Sequence, residues 1–255
     1  MKVLWIFAHP ERRSLNASLR DAGIRALDEL GHEHRESDLY AMNWNPVVDR
    51  ADFGLDPAAR LLVGPDSEQA YLCGELSDDI RAEQEKIKWA DTVVLQFPLW
   101  WAGPPAILKG WFDRVFVKGF AFGVSGDDGR TLRYGEGKLA GRRAMAVVSV
   151  GAREASLGPR GVNGDIGELL FPLHHGTLWY AGISAVPPLV VYGADRATGT
   201  EYVEYSTELT TRLASLDTTP PIPFRYQNHG DYDENLELKP DRAPGRAGLG
   251  VHLAP

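Results

Sequence analysis

Apolar runs of strand length alternate along the chain with stretches of helical period. Lys2-Val3-Leu4-Trp5-Ile6-Phe7-Ala8 is continuous rather than alternating, which is the pattern of a strand covered on both faces. After a polar loop, Leu15, Leu19, Ala22, Ala26 and Leu30 recur at helical spacing, and Gly31 offers a stop. Thr92 to Phe97 and Ala144 to Val150 repeat the buried-strand pattern, with helical segments before the first and between the two. His32 to Asp38 is too polar for a sheet centre. Ser184 to Tyr192 contains Pro187 and Pro188, which cannot donate to a ladder and belong at an edge or bulge. A last helix over about Glu201 to Leu216 sets Tyr202, Tyr205, Leu209, Leu213 and Leu216 on one face.

This alternation predicts an α/β fold with a parallel sheet. Placing the second and fifth strands at the edges gives the order 2-1-3-4-5, a flavodoxin-like doubly wound sheet, with Rossmann order as the alternative. From Thr218 to Pro255 the composition shifts to Pro, Gly and charged residues, too few apolar positions to form a core. The expected organisation is a domain over 1–217 and an irregular C-terminal extension over 218–255. That extension lies over the domain or over a second subunit, or is a disordered tail.

Composition narrows the chemistry. Among 255 residues, 27 Lys+Arg stand against 35 Asp+Glu, a formal net charge of -8. The acidic balance and the absence of a Lys/Arg run exclude a non-specific grip on nucleic acid. A single cysteine, Cys73, excludes an intramolecular disulfide and Cys-rich metal sites, so electron handling requires an organic cofactor. The amino terminus has no secretory signal pattern and no run long enough to span a membrane. The expectation is a cytoplasmic protein.

In such a sheet, ligands bind beyond the carboxyl ends of the strands, which selects three loops. His9 to Ser18 carries hydroxyl and amide groups at a helix start, suited to a phosphate or merely to capping. Phe97 to Arg114 holds Trp100-Trp101 between prolines. Two such side chains at a strand end cover a flat apolar partner, either a planar cofactor or a neighbouring loop or subunit. Val150 to Asp165 brings small residues whose backbone N–H groups can approach a ligand and hold negative charge, or is simply a flexible loop. Gly135-Glu136-Gly137-Lys138-Leu139-Ala140 matches a dinucleotide fingerprint but precedes a strand where the fingerprint must follow one. His174-His175 lacks the companions of a metal site, and no metal is expected.

The run Phe97-Pro98-Leu99-x-Trp101-x-Gly103-x-Pro105-Ala106-Ile107-Leu108-Lys109-Gly110-Trp111-Phe112-x-Arg114-Val115-Phe116 resembles the signature of the NAD(P)H:quinone oxidoreductases of the DT-diaphorase type. Ser37-Asp38-Leu39-Tyr40-Ala41-Met42-Asn43-x-Asn45-Pro46, Leu76-Ser77-x-Asp79-Ile80-x-Ala82-Glu83-Gln84 and Gly248-Leu249-Gly250-Val251-His252 are similar to further parts of that family. The resemblance implies a flavodoxin-like homodimer with non-covalent FAD, FMN being the alternative. NADPH or NADH would reduce the flavin, and a quinone or similar small flat aromatic acceptor would then take the hydride from the same position in a ping-pong, two-electron reduction. By position, His9, Ser14, Leu15, Asn16 and Ser18 would face the FAD phosphates and ribityl chain. Pro98, Leu99, Trp100, Trp101 and Ala102 would lie along the isoalloxazine, and Gly151 with Ala152 near its pyrimidine edge. Trp101, Gly151 and Asn163 are the catalytic candidates, and Phe122, Leu157 and Tyr232 would line the substrate pocket, Phe122 and Tyr232 from the partner. The sequence departs from the family where Leu157 and Asn163 replace a Tyr and a His, where Trp100 replaces a Gln, and where Ser149-Val150-Gly151-Ala152 replaces Thr-Thr-Gly-Gly. A flavin-loaded ancillary subunit with little turnover, or a biosynthetic reductase of a quinone-like, nitro or azo compound, are the alternatives.

Overall fold

A computed structural model describes residues 1–56 and 58–255. Among them the chain runs β1 (Lys2–Phe7), α1 (Leu15–Glu29), β2 (Glu33–Asp38), α2 (Val63–Cys73), α3 (Asp78–Trp89), β3 (Thr92–Pro98), α4 (Ala106–Val115) and β4 (Arg143–Ser149). Two short helices, α5 (Ile166–Leu169) and α6 (Phe171–Leu173), and a π-helical segment, His174–Trp179, lead to β5 (Ser184–Ala185), β6 (Leu189–Val191) and α7 (Gly199–Ala214). The strands are parallel in the order β2-β1-β3-β4-β5, with β6 also on β4, as the sequence pattern predicts.

Side chains alternate between two apolar layers because successive residues of a strand point to opposite faces. Val3, Trp5 and Phe7 face α1 and α7 with Val94, Met145, Val147, Leu209 and Leu213. Leu4, Ile6, Val93, Leu95, Phe97, Ala146 and Val148 face the opposite layer with Ile80, Ile87, Leu108 and Trp111. Helices on both faces bury most positions of β1, β3 and β4, which is why those runs look continuous. Gly23 of α1 admits the indole of Trp5, since a Cβ there would lie 2.2 Å from the ring. Thr198 starts α7 with a reciprocal cap to Glu201.

The fifth strand departs from the single segment expected over 184–192. It is two short pieces because Pro187 and Pro188 interrupt the ladder between them. The last helix begins and ends two residues earlier than expected, at Gly199 and Ala214; Leu209 and Leu213 are buried on it with Tyr202 and Tyr205 beside them, while Leu216 is buried just past its end.

Residues 218–255 lie on the domain. Ile222 donates to the Ala185 carbonyl at 2.7 Å, Trp179 Nε1 to the Arg225 carbonyl at 3.1 Å, and Asn228 Nδ2 to Glu136 at 2.5 Å. The tail closes on itself through Arg225, whose guanidinium meets Asp231 at 2.6 Å and the Val251 carbonyl at 3.0 Å. Gly135 and Gly137 have packing reasons to be glycine. A Cβ at the first would meet Trp179 and Tyr226 at 2.5 Å, and at the second the Ala181 backbone at 2.2 Å.

Candidate functional site

The carboxyl-terminal part of the long motif, on α4, contributes to a largely buried polar hub. Arg114, on α4, is 3% exposed and forms a fork on Asp52 through Nε at 3.1 Å and Nη2 at 2.5 Å. It also donates to Asp79 at 2.6 Å and to the Asn45 carbonyl at 3.1 Å, under the ring of Trp44. Desolvation works against the Arg114 charge, but the two carboxylates outweigh it and raise its pKa. Burial likewise opposes the Asp79 charge, yet Arg114 and Ser77 hold that carboxyl below its ordinary value. Beside it, fully buried Glu83 accepts from Ser37 Oγ at 2.7 Å, Trp111 Nε1 at 2.8 Å and Lys86 Nζ at 2.6 Å. Gly110 lets Pro46 approach, for a Cβ would lie 2.2 Å from its carbonyl oxygen. These residues are part of the sequence resemblance, and they lock α3, α4 and the loop after β2 together.

Beyond the carboxyl ends of the strands lies a cleft of about 340 Å³, lined by His9, Ser14, Leu15, Asn16, Pro98, Leu99, Trp100, Ser149, Val150, Gly151, Ala194 and Asp195. A buried relay sets its floor. Trp5 Nε1 donates to Gln96 Oε1 at 3.0 Å, Gln96 Nε2 to the Asn16 carbonyl at 2.7 Å, and Asn16 Nδ2 to Ser149 Oγ at 2.8 Å. Three strands thereby fix the first turn of α1, where Ser14 caps the helix by accepting from Ala17 N at 3.2 Å. His9 Nδ1 accepts from Glu11 N at 3.1 Å, which assigns the neutral ring its proton at Nε2. The helix start therefore presents an N–H donor and a positive dipole end together.

Across the cleft, Gly151 and Ala152 turn their backbone in one sense. Arg196 Nη2 donates to the Gly151 carbonyl at 2.8 Å and Gly193 N to the Ala152 carbonyl at 3.0 Å, while neither residue's own N–H has a partner among the described residues. Two unmatched donors beside a cleft suit negative charge on a ligand.

The loop after β3 presents its aromatic residues to solvent. Trp100 pairs with Gly103 across a tight turn, and Trp101 and Ala102 at its tip have φ of 50° and 59°. This left-handed conformation costs a side-chain-bearing residue about 1–2 kcal/mol, and strain of this kind persists where a site requires it. The turn leaves Trp100 43% and Trp101 103% exposed.

Eight of the expected residues thus share one cleft: His9, Ser14, Leu15, Asn16, Pro98, Leu99, Trp100 and Gly151. Ser18 is half-buried one turn further into α1, and Trp101, Ala102 and Ala152 border the cleft without lining it. Asn163 is exposed and its Nδ2 donates to Ser156 Oγ at 3.1 Å, pinning its own loop. Leu157 requires a correction: at 3% exposure it packs in the main core and offers no wall to a pocket of this chain. Phe122 borders a separate depression with Phe116 and Tyr180. Tyr232 stands in another cavity, its hydroxyl 2.9 Å from His252 Nδ1. His174 is buried with Nε2 unpartnered, and burial pushes its pKa down to about 4. No cluster of metal ligands occurs among the described residues, and no helix there is long and apolar enough to cross a membrane.

Sequence reasoning missed Ser149, Ala194, Asp195 and Arg196. The last three follow β6, so the rule that selected the other loops also selects theirs. Ser149 ends an apolar strand and is legible only through its partner Asn16.

A family model described as a flavodoxin-like fold matches residues 1–213. The chain is 44% identical over 257 residues to the ribosyldihydronicotinamide dehydrogenase-like protein traD of Penicillium crustosum, covering 99% of this chain and 95% of that one. It is 36% identical over 225 residues to NAD(P)H dehydrogenase (quinone) 1 of Rattus norvegicus, covering 88% and 80%. Among solved structures, a Klebsiella pneumoniae protein assigned as a quinone reductase superposes with a TM-score of 0.95 at 50% identity over 100% of both chains. An NAD(P)H:quinone oxidoreductase from Methanothermobacter marburgensis gives 0.66 at 25% identity, covering 86% of this chain and 98% of that one.

Proposed function

The chain belongs to the NAD(P)H:quinone oxidoreductase family of flavodoxin-like enzymes, and from that premise we propose that it is an FAD-dependent oxidoreductase reducing quinones or similarly flat aromatic acceptors by two electrons. The observation that carries this reading is the pair of N–H groups without a partner among the described residues, at Gly151, which lines the cleft with Trp100 and the α1 start, and at adjacent Ala152.

The residues present fit a flavin. Ser14, Asn16 and His9 Nε2–H would hold its phosphate and ribityl end at the α1 terminus. Leu99, Trp100 and Trp101 would cover the isoalloxazine, and Gly151, lacking a Cβ, admits its pyrimidine edge. A bound flavin supplies hydride acceptance from NADPH or NADH and hydride donation to the acceptor at one position, a ping-pong sequence. The Gly151 and Ala152 N–H groups favour the negative charge that accompanies reduction. Arg196 keeps the Ala152 N–H aimed by holding the Gly151 carbonyl of the same peptide, as Ala194 N does for the Gly151 N–H through the Val150 carbonyl. Asn163 retains a free amide oxygen and one N–H for the acceptor. FAD is favoured over FMN by the family resemblance of the long tail. The chain is proposed to act as a homodimer, which would cover exposed Trp101 and Val162 and bring Phe122 to the partner's acceptor site.

An anaerobic visible spectrum before and after NADPH, followed by addition of a simple quinone, tests the reading. A yellow protein that bleaches with NADPH and recovers its colour with quinone supports it. A protein still colourless after incubation with FAD overturns it, and a yellow one without turnover on several quinones selects the ancillary subunit instead.

A further inference from the structure

The C-terminal tail encloses, with the π-helical segment, a cavity of about 390 Å³ that shares no residue with the flavin cleft. Its walls are rings held near parallel. His175 lies 4.5 Å from Phe171 at 24°, 4.9 Å from Tyr134 at 27° and 5.5 Å from His252 at 29°, and Tyr232 lies 6.0 Å from His252 at 17°. Such a set presents flat faces and edges suited to a further planar ring.

The polar groups around these rings are mostly donors. Arg133 spends Nε on Gln227 Oε1 at 2.6 Å, and its two terminal amino groups meet no carboxylate among the described residues. That is notable in a chain of net charge -8, where nearby Asp231 and Glu136 are already taken by Arg225, Arg242 and Asn228. The Tyr232 hydroxyl lies 2.9 Å from His252 Nδ1, and with Tyr232 as the donor the neutral ring carries its proton on Nε2 as a second donor. Burial and the Arg225 charge favour that neutral form by lowering the His252 pKa. The His175 ring has no hydrogen-bond partner among the described residues, and burial, with His252 nearby, takes its pKa to about 4. At the lip, Leu236 is 47% exposed and held at φ 65° by a turn that Asp233 closes through Asn235 N and Glu237 N, both at 2.9 Å. A strained apolar residue over an aromatic cavity suits a covering role.

We propose that this cavity is a second small-molecule site, taking a planar aromatic carboxylate whose ring lies among Tyr134, His175 and His252 and whose charge meets Arg133. Its volume falls in the range of ligand pockets, roughly 300–1,000 Å³, and an aromatic body with one charge-assisted contact matches what its walls offer. The inference is independent of the flavin reading, because none of these residues borders the flavin cleft.

Titration calorimetry of the full-length, FAD-supplemented protein with 2-naphthoate tests it. The expected result is saturable binding at one site per chain, with the flavin spectrum unchanged. Arg133→Gln should weaken 2-naphthoate by about tenfold or more, a loss of roughly 1.4 kcal/mol, and leave uncharged 2-naphthol within about threefold. Arg133→Lys keeps a charge, and an unchanged melting temperature in both variants separates lost binding from lost folding. Absence of saturable binding at millimolar 2-naphthoate, binding that survives Arg133→Gln, or displacement of 2-naphthoate by FAD overturns the proposal.

Discussion

The hub around Arg114 and the cleft around Gly151 are opposites in polar accounting. In the hub, Arg114, Asp52, Asp79 and Glu83 are matched partner by partner, all but Asp79 buried. In the cleft, the Gly151 and Ala152 N–H groups go unmatched and Trp101 stands wholly exposed. Of the longest sequence signature in the chain, Gly110, Trp111 and Arg114 belong to the first region and Pro98 and Leu99 to the second, so it spans scaffold and cleft alike. Function is written in the second, in groups that the fold holds ready and leaves unsatisfied.

The largest effect should come from breaking the hub. Arg114→Met strands two carboxylates, one buried and one partly exposed, at a cost of about 3–5 kcal/mol, measurable by urea denaturation, whereas the flavin affinity of the molecules that remain folded should be unchanged. If flavin affinity falls as much as stability, the two regions are not separable. His174, like Trp44 Nε1 beside the hub, is buried with an unmatched nitrogen. Its pKa near 4 in the folded state lies below the ordinary 6.5, so the unfolded chain takes up a proton between those values that the folded chain refuses. Stability should therefore fall as pH drops through that window, by up to roughly 3 kcal/mol, and stay level above it. Melting temperatures from pH 7 to 4 should show this slope, and His174→Leu should leave about half of it, the share of His175, whose pKa burial likewise takes down to about 4.

Ser14→Ala removes a cap at about 1 kcal/mol, and the same substitution should weaken flavin binding, read by fluorescence titration. A smaller effect of opposite sign comes from Trp101→Gly, which relieves the left-handed strain and should stabilise by about 0.5–1 kcal/mol while lowering quinone turnover at saturating flavin. A variant that loses stability instead would mean Trp101 is anchored rather than presented.

The sheet was legible because helices on both faces force continuous apolar runs in β1, β3 and β4, and because Pro187-Pro188 and the charges of β2 mark the edges. The first cleft loop was legible through its caps and the second through the cost of exposing Trp100 and Trp101. The hub was not, since Arg114 meets Asp52 and Asp79 from 62 and 35 residues away and no local periodicity encodes such meetings. Gln96 looks like a polar interruption of an apolar strand, and only the folded chain shows it joining Trp5 to Asn16. Leu157 was assigned to a pocket through alignment, yet the turn Glu154–Leu157 directs it into the core. The tail's cavity depends on contacts between segments too irregular to predict.

The interrupted fifth strand bears on how the molecule behaves among its own copies. An open sheet exposes a border of amides and carbonyls that another chain can extend, a route to aggregation. One border here is β2, whose Glu33, Arg35 and Glu36 are exposed, so an incoming strand meets charge. On the other, Pro187 and Pro188 remove two amide donors where the strand breaks, and the tail occupies the Ala185 carbonyl through Ile222. Growth of the sheet is thereby discouraged on both sides, and the protein can be kept at high concentration without its strands recruiting one another.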